Sequence, residues 1–265
     1  MELIYVCLFI TGLVFGSFFN VVGLRLPKNE SILFPRSHCV NCNHELNWYE
    51  LIPVFSYIFL QGKCKKCKTK ISIQYPLVEF TTAILYCMCF KLFGFSYDTI
   101  LSIVLVSIVM ITIISDCKYM VILDEVIVIG AILSLIIIFS SGGLIFALRH
   151  VLSGLLLFSI MLIVKLLGDS AFKQESLGWG DVKLTFIAGM LLGFKLGLIY
   201  IFLGAIIALP YAIYTTIKNK NGMIPFGPFL ALSMLIIFWN SVSFTNIINA
   251  LLGVWYEEKN IINNY

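Results

Sequence analysis

Charge is what this chain has least of. Only 12% of its 265 residues are Asp, Glu, Lys or Arg, 60% are hydrophobic, and the mean hydropathy is +0.99. So little polar surface excludes a water-soluble domain of this size and indicates a polytopic membrane protein. A basic surplus is missing too: the net charge of +4 gives no ground for a nucleic-acid partner. No Lys or Arg precedes the first apolar run, Leu3 to Leu24, whereas Arg25 and Lys28 follow it. That pattern argues against a cleaved signal peptide and for a retained helix with its N-terminus outside.

Eight apolar runs are present, at 3–24, 76–95, 98–115, 121–140, 144–167, 182–197, 198–217 and 226–252. At 1.5 Å per residue each is about long enough to cross roughly 30 Å of hydrocarbon. The boundary near 197 is punctuated only by Gly193 and Gly197. The expected fold is therefore all-α, with about eight transmembrane helices and a tail over 253–265. With the N-terminus outside, segments 25–75, 116–120, 168–181 and 218–225 face the cytoplasm. These segments and their flanks hold fourteen of the Lys and Arg residues; only Lys91, Arg149, Lys195 and Lys259 fall toward the other side. Such asymmetry is the positive-inside pattern. Gly12, Gly16, Ser17 and Asn20 interrupt the first run and suit either a small-residue packing face or a face turned to substrate or cofactor.

The one long polar stretch, 25–75, contains Cys39-Val40-Asn41-Cys42 and, after twenty-one intervening residues, Cys64-Lys65-Lys66-Cys67. Each CxxC turn aims two sulfurs at one point, so the paired spacing predicts a four-thiolate zinc site. Disulfides are the alternative, disfavoured on the reducing side of the membrane. A site whose four positions are all filled by protein is structural, and it would fold an insert too poor in apolar residues to fold alone. His38 and His44 flank the first knuckle.

Acids near lipid are rare and mark candidate functional sites. Asp116 closes the run ending at Ser115, and Asp181 opens the run beginning at Val182, inside Gly178-Trp179-Gly180-Asp181. The charge pattern puts both on the cytoplasmic face. Paired carboxyls that share one proton can act together as base and acid in peptide hydrolysis. Gly178 and Gly180 are expected to let the backbone turn tightly beside Asp181 and admit a substrate strand. Asp124, which opens the next run with Glu125, is a secondary candidate. Lys118 and Lys183 read as interfacial anchors. An ion or proton transporter is a competing class, but it would place acids at mid-span and show repeat symmetry between halves.

These motifs resemble the bacterial prepilin peptidases, or type IV prepilin leader peptidases. The resemblance runs through Gly16–Val21 with Arg25-Leu26-Pro27, Pro35–Cys42, Glu50–Pro53, Gly62–Cys67, Tyr75–Glu79, Asp116 with Lys118, Gly178–Lys183 and Pro225–Pro228. One departure is Leu123, where the family usually has proline before the second acid. The resemblance implies a seven-helix protease core over 76–252 in the bacterial cytoplasmic membrane, with Asp116 and Asp181 as the catalytic dyad. It implies cleavage of a short leader from type IV prepilins or pseudopilins on the cytoplasmic side. N-methylation of the new terminus by S-adenosylmethionine would follow. A protease without methyl transfer is the alternative. No glycine-rich loop marks a methyl-donor site; Glu79, at the cytoplasmic start of its run, is the candidate contact.

Overall fold

The computed structural model describes residues 1–218, 224–241 and 244–246. Its regular elements are all helical: α1 (Glu2–Arg25), α2 (Phe55–Phe59), α3 (Gln74–Phe93), α4 (Tyr97–Tyr119), α5 (Asp124–Phe172), α6 (Trp179–Lys218) and α7 (Gly227–Trp239). Five of them (α1, α3, α4, α5 and α6) are long and apolar enough to cross a membrane; α7 has 13 residues. The last part of the 226–252 run and the 253–265 tail lie outside the described residues.

The expectation of eight separate spans is therefore corrected to five candidate spans among the described residues. Runs 121–140 and 144–167 share α5, of 49 residues, and runs 182–197 and 198–217 share α6, of 40 residues. Each long helix is interrupted at one glycine, Gly143 (φ 73°, ψ −171°) or Gly193 (φ 76°, ψ 171°), in a conformation that side chains with a Cβ rarely adopt. A one-residue break needs no polar loop, so composition alone does not reveal it. In α6 the break is at Gly193. Gly197 instead packs against Leu157 so closely that a Cβ there would clash with its Cδ1.

Helix α4 is the buried centre, with Leu105, Val106 and Val109 fully enclosed. It touches α1, α3, α5 and α7, while α6 packs on α5 and α7. Ser96 caps its start by accepting the Thr99 N–H at 3.3 Å. The α1–α3 seam is built from small residues: a Cβ at Gly12 would lie 2.5 Å from Ala83 Cα, and one at Gly16 would lie 2.7 Å from Glu79 Cα. Close backbone approach thus accounts for both glycines.

Between α1 and α3 the polar insert forms two knuckles, each closed by an isolated bridge, His38 with Glu45 and Lys63 with Lys70. They repeat one hydrogen-bond pattern. Cys39 N–H donates to His44 O and Asn43 N–H to Cys39 O, both at 2.9 Å; Cys64 N–H donates to Thr69 O at 2.9 Å and Lys68 N–H to Cys64 O at 3.0 Å. Asn43 and Lys68 close the two turns in the left-handed region.

Candidate active site and metal cluster

Asp116 lies in the last turn of α4, which Met120 ends in a left-handed conformation with its N–H on Asp116 O at 2.9 Å. The Asp116 side chain is turned inward and only 5% of the residue is exposed. Its Oδ2 accepts the Gly227 N–H at 3.0 Å. Gly227 is the first residue of α7, so the donor is an amide left free at a helix start, where the helix dipole favours negative charge. A Cβ on Gly227 would sit 2.8 Å from Oδ2, so any larger residue there would push the carboxyl aside. Gly227→Ala is expected to displace the carboxyl and reduce turnover by about 100-fold, with the protein still folded. Unchanged kcat in that variant would show that this contact does not set the site.

Asp181 lies in the first turn of α6, which begins at Trp179, three residues before the apolar run that starts at Val182. It is 7% exposed, and its buried Oδ1 has no hydrogen-bond partner among the described residues. Ile122 joins the two acids' surroundings. A Cβ on Gly180 would meet Ile122 Cβ at 2.6 Å, and one on Gly227 would meet Ile122 Cδ1 at 2.8 Å. The two carboxyls are within Coulombic reach of each other.

Neither Gly178 nor Gly180 has a positive φ, and each is needed for space. Gly180 makes room for Ile122, and Gly178 for the Asp181 carboxyl, whose Oδ2 would lie 3.1 Å from a Cβ there. Asp124 is not part of the buried pair. Its side chain is 63% exposed and binds Lys183 Nζ through both oxygens at 2.7 Å, so Lys183 is a partner and not a free anchor. This ion pair ties the start of α5 to the first turns of α6. Sequence reasoning missed the Gly227 amide, although Gly227 stands inside a motif it singled out.

Glu79 is buried on α3 and accepts the Val54 N–H at 2.7 Å. Across the same seam, buried Asn20 donates to Gly16 O at 3.2 Å and Tyr75 O at 3.3 Å, leaving its Oδ1 without a partner among the described residues. Val54 takes φ 63°, rare for a β-branched residue, so the insert meets α3 through a strained turn.

The four cysteines of the insert converge: their sulfurs all lie within 4.8 Å of one another, and the cluster could hold a metal ion. Cys39 Sγ is 3.7 Å from Cys67 Sγ and Cys42 Sγ is 3.9 Å from Cys64 Sγ, so all four are free thiols. Hydrogen bonding from Thr69 draws the Cys67 thiol down to about 5. Against the lowering effect of the His44 backbone, burial and the neighbouring sulfurs push Cys42 up to about 11. Crowded thiols of this kind oppose further ionisation until a cation joins them. Neither flanking histidine joins the cluster. His38 Nδ1 lies 2.9 Å from Arg36 O, and His44 Nε2 lies 3.3 Å from Glu50 Oε2. Despite burial, hydrogen bonds from Asn47 hold the Glu50 carboxyl below its usual range.

Comparison with known proteins divides the chain along the same lines. Residues 10–93 match the bacterial peptidase A24 N-terminal domain, and residues 103–213 match the type IV leader peptidase family. A Bacillus subtilis protein called prepilin leader peptidase/N-methyltransferase is 32% identical over 231 residues, covering 84% of this chain and 89% of the relative. The chain belongs to the type IV leader peptidase family. A Pseudomonas aeruginosa member of the same name is 30% identical over 258 residues, covering 86% of this chain and 87% of that protein. A Myxococcus xanthus member, also so named, is 37% identical over 192 residues, and the match spans 72% of this chain but 56% of the longer relative. No solved structure matches significantly. The leader peptidase match contains both buried aspartates, and the N-terminal match contains the cysteine cluster and Glu79.

Proposed function

We propose that this protein removes the leader of type IV prepilin-like proteins at the cytoplasmic face of the bacterial membrane, with Asp116 and Asp181 as the catalytic dyad, and then N-methylates the new terminus from S-adenosylmethionine. The observation that carries the proposal is the convergence of these two buried carboxyls at helix ends around Ile122 and Gly227. The dyad holds one proton between its members, and the roles belong to the pair. The ionised carboxylate takes a proton from water as that water attacks the scissile carbonyl. The protonated carboxyl gives its proton to the carbonyl oxygen, forming a neutral diol. On collapse the first acid returns its proton to the leaving nitrogen, the C–N bond breaks, and the second carboxylate recovers a proton from the diol.

The N-terminus faces outside, and each half of α5 and of α6 crosses the bilayer separately at the Gly143 and Gly193 breaks, giving about eight crossings. A single straight crossing by α5 would be roughly 74 Å long, more than twice the hydrocarbon thickness.

S-adenosylmethionine would supply an electrophilic methyl group. Its cationic end suits buried oxygen acceptors, and the Glu79 carboxylate and Asn20 Oδ1, both buried on the α1–α3 seam, are the candidate contacts. Zinc suits the four cysteines. With Zn–S near 2.3 Å, a tetrahedron has sulfur edges of about 3.8 Å, close to the observed 3.7 and 3.9 Å contacts.

Purified protein, incubated with a prepilin-like substrate and labelled S-adenosylmethionine, is expected to yield a product whose N-terminus, by mass spectrometry, has lost the leader and gained a methyl group. Leader loss alone would refute the methyl-transfer half. No cleavage of several prepilins would refute the whole proposal.

A further inference from the structure

Lys165 belongs to the basic residues that the charge pattern puts near the cytoplasmic face, and such a residue ordinarily extends toward water. Here it points inward and is only 2% exposed, so its ammonium needs fixed partners. It has three. Its Nζ donates to Leu177 O at 2.6 Å and to Asp169 Oδ2 at 3.0 Å, and lies 5.2 Å from the Trp179 ring centre. Leu177 and Trp179 flank Gly178 in the segment that delivers Asp181.

Asp169 extends the same grip. Its Oδ1 accepts the Ser176 N–H at 2.6 Å and the Ser176 hydroxyl at 2.8 Å. The Ser176 hydroxyl also lies 3.4 Å from Lys165 O. Gly168 lets the segment lie this close, since a Cβ there would clash with Ser176 Oγ. Ser176, Leu177 and Trp179, three of the four positions before Gly180, are thus anchored to the last turns of α5, and the buried cation sits within Coulombic reach of Asp181.

We infer that Lys165, backed by Asp169, is the positioning residue that seats the Ser176–Trp179 segment and so sets the aim of Asp181 at its partner carboxyl. The ammonium replaces the water that would otherwise solvate the Leu177 carbonyl, and the indole face adds attraction for the same charge. The Asp124–Lys183 pair adds a second tie, between the start of α5 and the first turns of α6 just after Asp181. The inference rests on the peptidase reading for its catalytic consequence, but not for its structural one.

Two variants test it in the full-length protein. Lys165→Met keeps the length and apolar stem but removes the donors. Asp169→Ala alters a partly exposed position and does not threaten folding. In Lys165→Met, kcat for leader cleavage is expected to fall on the order of 100-fold with KM nearly unchanged, the effect of a misplaced catalytic group. Methyl transfer onto an already cleaved pilin should persist. Asp169→Ala should lower kcat by roughly tenfold, as expected when charge-assisted hydrogen bonds are lost. In both variants tryptic cutting after Lys173 should quicken by roughly tenfold; that readout needs no activity. Wild-type protein that fails to cleave prepilins would sink the peptidase reading while leaving the trypsin result to judge the anchor. Unchanged trypsin rates and kcat in both variants would overturn the inference. So would a Lys165→Met protein that loses cleavage and methyl transfer together, since that is the mark of general unfolding.

Discussion

Asp116→Asn and Asp181→Asn are each expected to lower prepilin cleavage by a factor on the order of 10⁴ or more, the scale seen when one member of a concerted catalytic set is removed. The substitution is nearly isosteric, so the loss belongs to chemistry and not to packing. In Asp116→Asn the side-chain amide oxygen could still accept the Gly227 N–H, leaving the junction of α4 and α7 in place. Asp181→Asn would remove a buried carboxyl whose Oδ1 has no partner among the described residues. Replacing buried charge with a neutral amide relieves desolvation, so the melting temperature in detergent should hold or rise while activity disappears. Activity and thermal unfolding measured on the same preparations separate the two. Wild-type activity in either variant would exclude the dyad.

The second large effect concerns the cysteine cluster. Between residues 26 and 73 the buried positions are only Glu50, Gly62 and Cys64, so the insert has almost no apolar core of its own. Its order rests on the knuckle hydrogen bonds, the Glu50–Asn47 capping box and the four sulfurs. In domains of this kind metal binding is folding free energy, about 10–16 kcal/mol for small zinc peptides at neutral pH. Purified wild-type protein is therefore expected to carry close to one zinc per chain by elemental analysis. Cys39→Ser should lose most of it and leave the Lys63–Lys70 knuckle open to trypsin. Acidification should release the metal as thiolates take up protons. Zinc-free wild-type protein with a protease-resistant insert would refute the assignment.

How much of this was readable beforehand depended on the range of the interactions. Membrane class and helical content are properties of summed apolar surface, so composition carries them. The CxxC turns are local: the two residues between each cysteine pair, with the left-handed Asn43 and Lys68 that close the turns, set the sulfur directions within a few bonds. That is why four positions chosen by spacing fall together in space. Asp116 and Asp181 stood out because carboxylates in apolar runs are rare, and the lysine distribution alone gave the expectation that both lie on one face.

Tertiary structure decided the rest. Gly142, Gly143, Gly193 and Gly197 look alike in sequence, yet only Gly143 and Gly193 adopt the positive φ that breaks a helix, whereas Gly197 is pressed against Leu157. Lys165 and Lys183 both count in the sequence simply as basic residues near the cytoplasmic face. One is buried under the Asp181 segment and the other is paired with Asp124. The amide that meets Asp116 comes from Gly227, 111 positions away. Sequence patterns report what each residue prefers when averaged over surroundings. A buried charge, an unprotected amide and a glycine beside a bulky side chain are settled by which partner arrives from a distant helix.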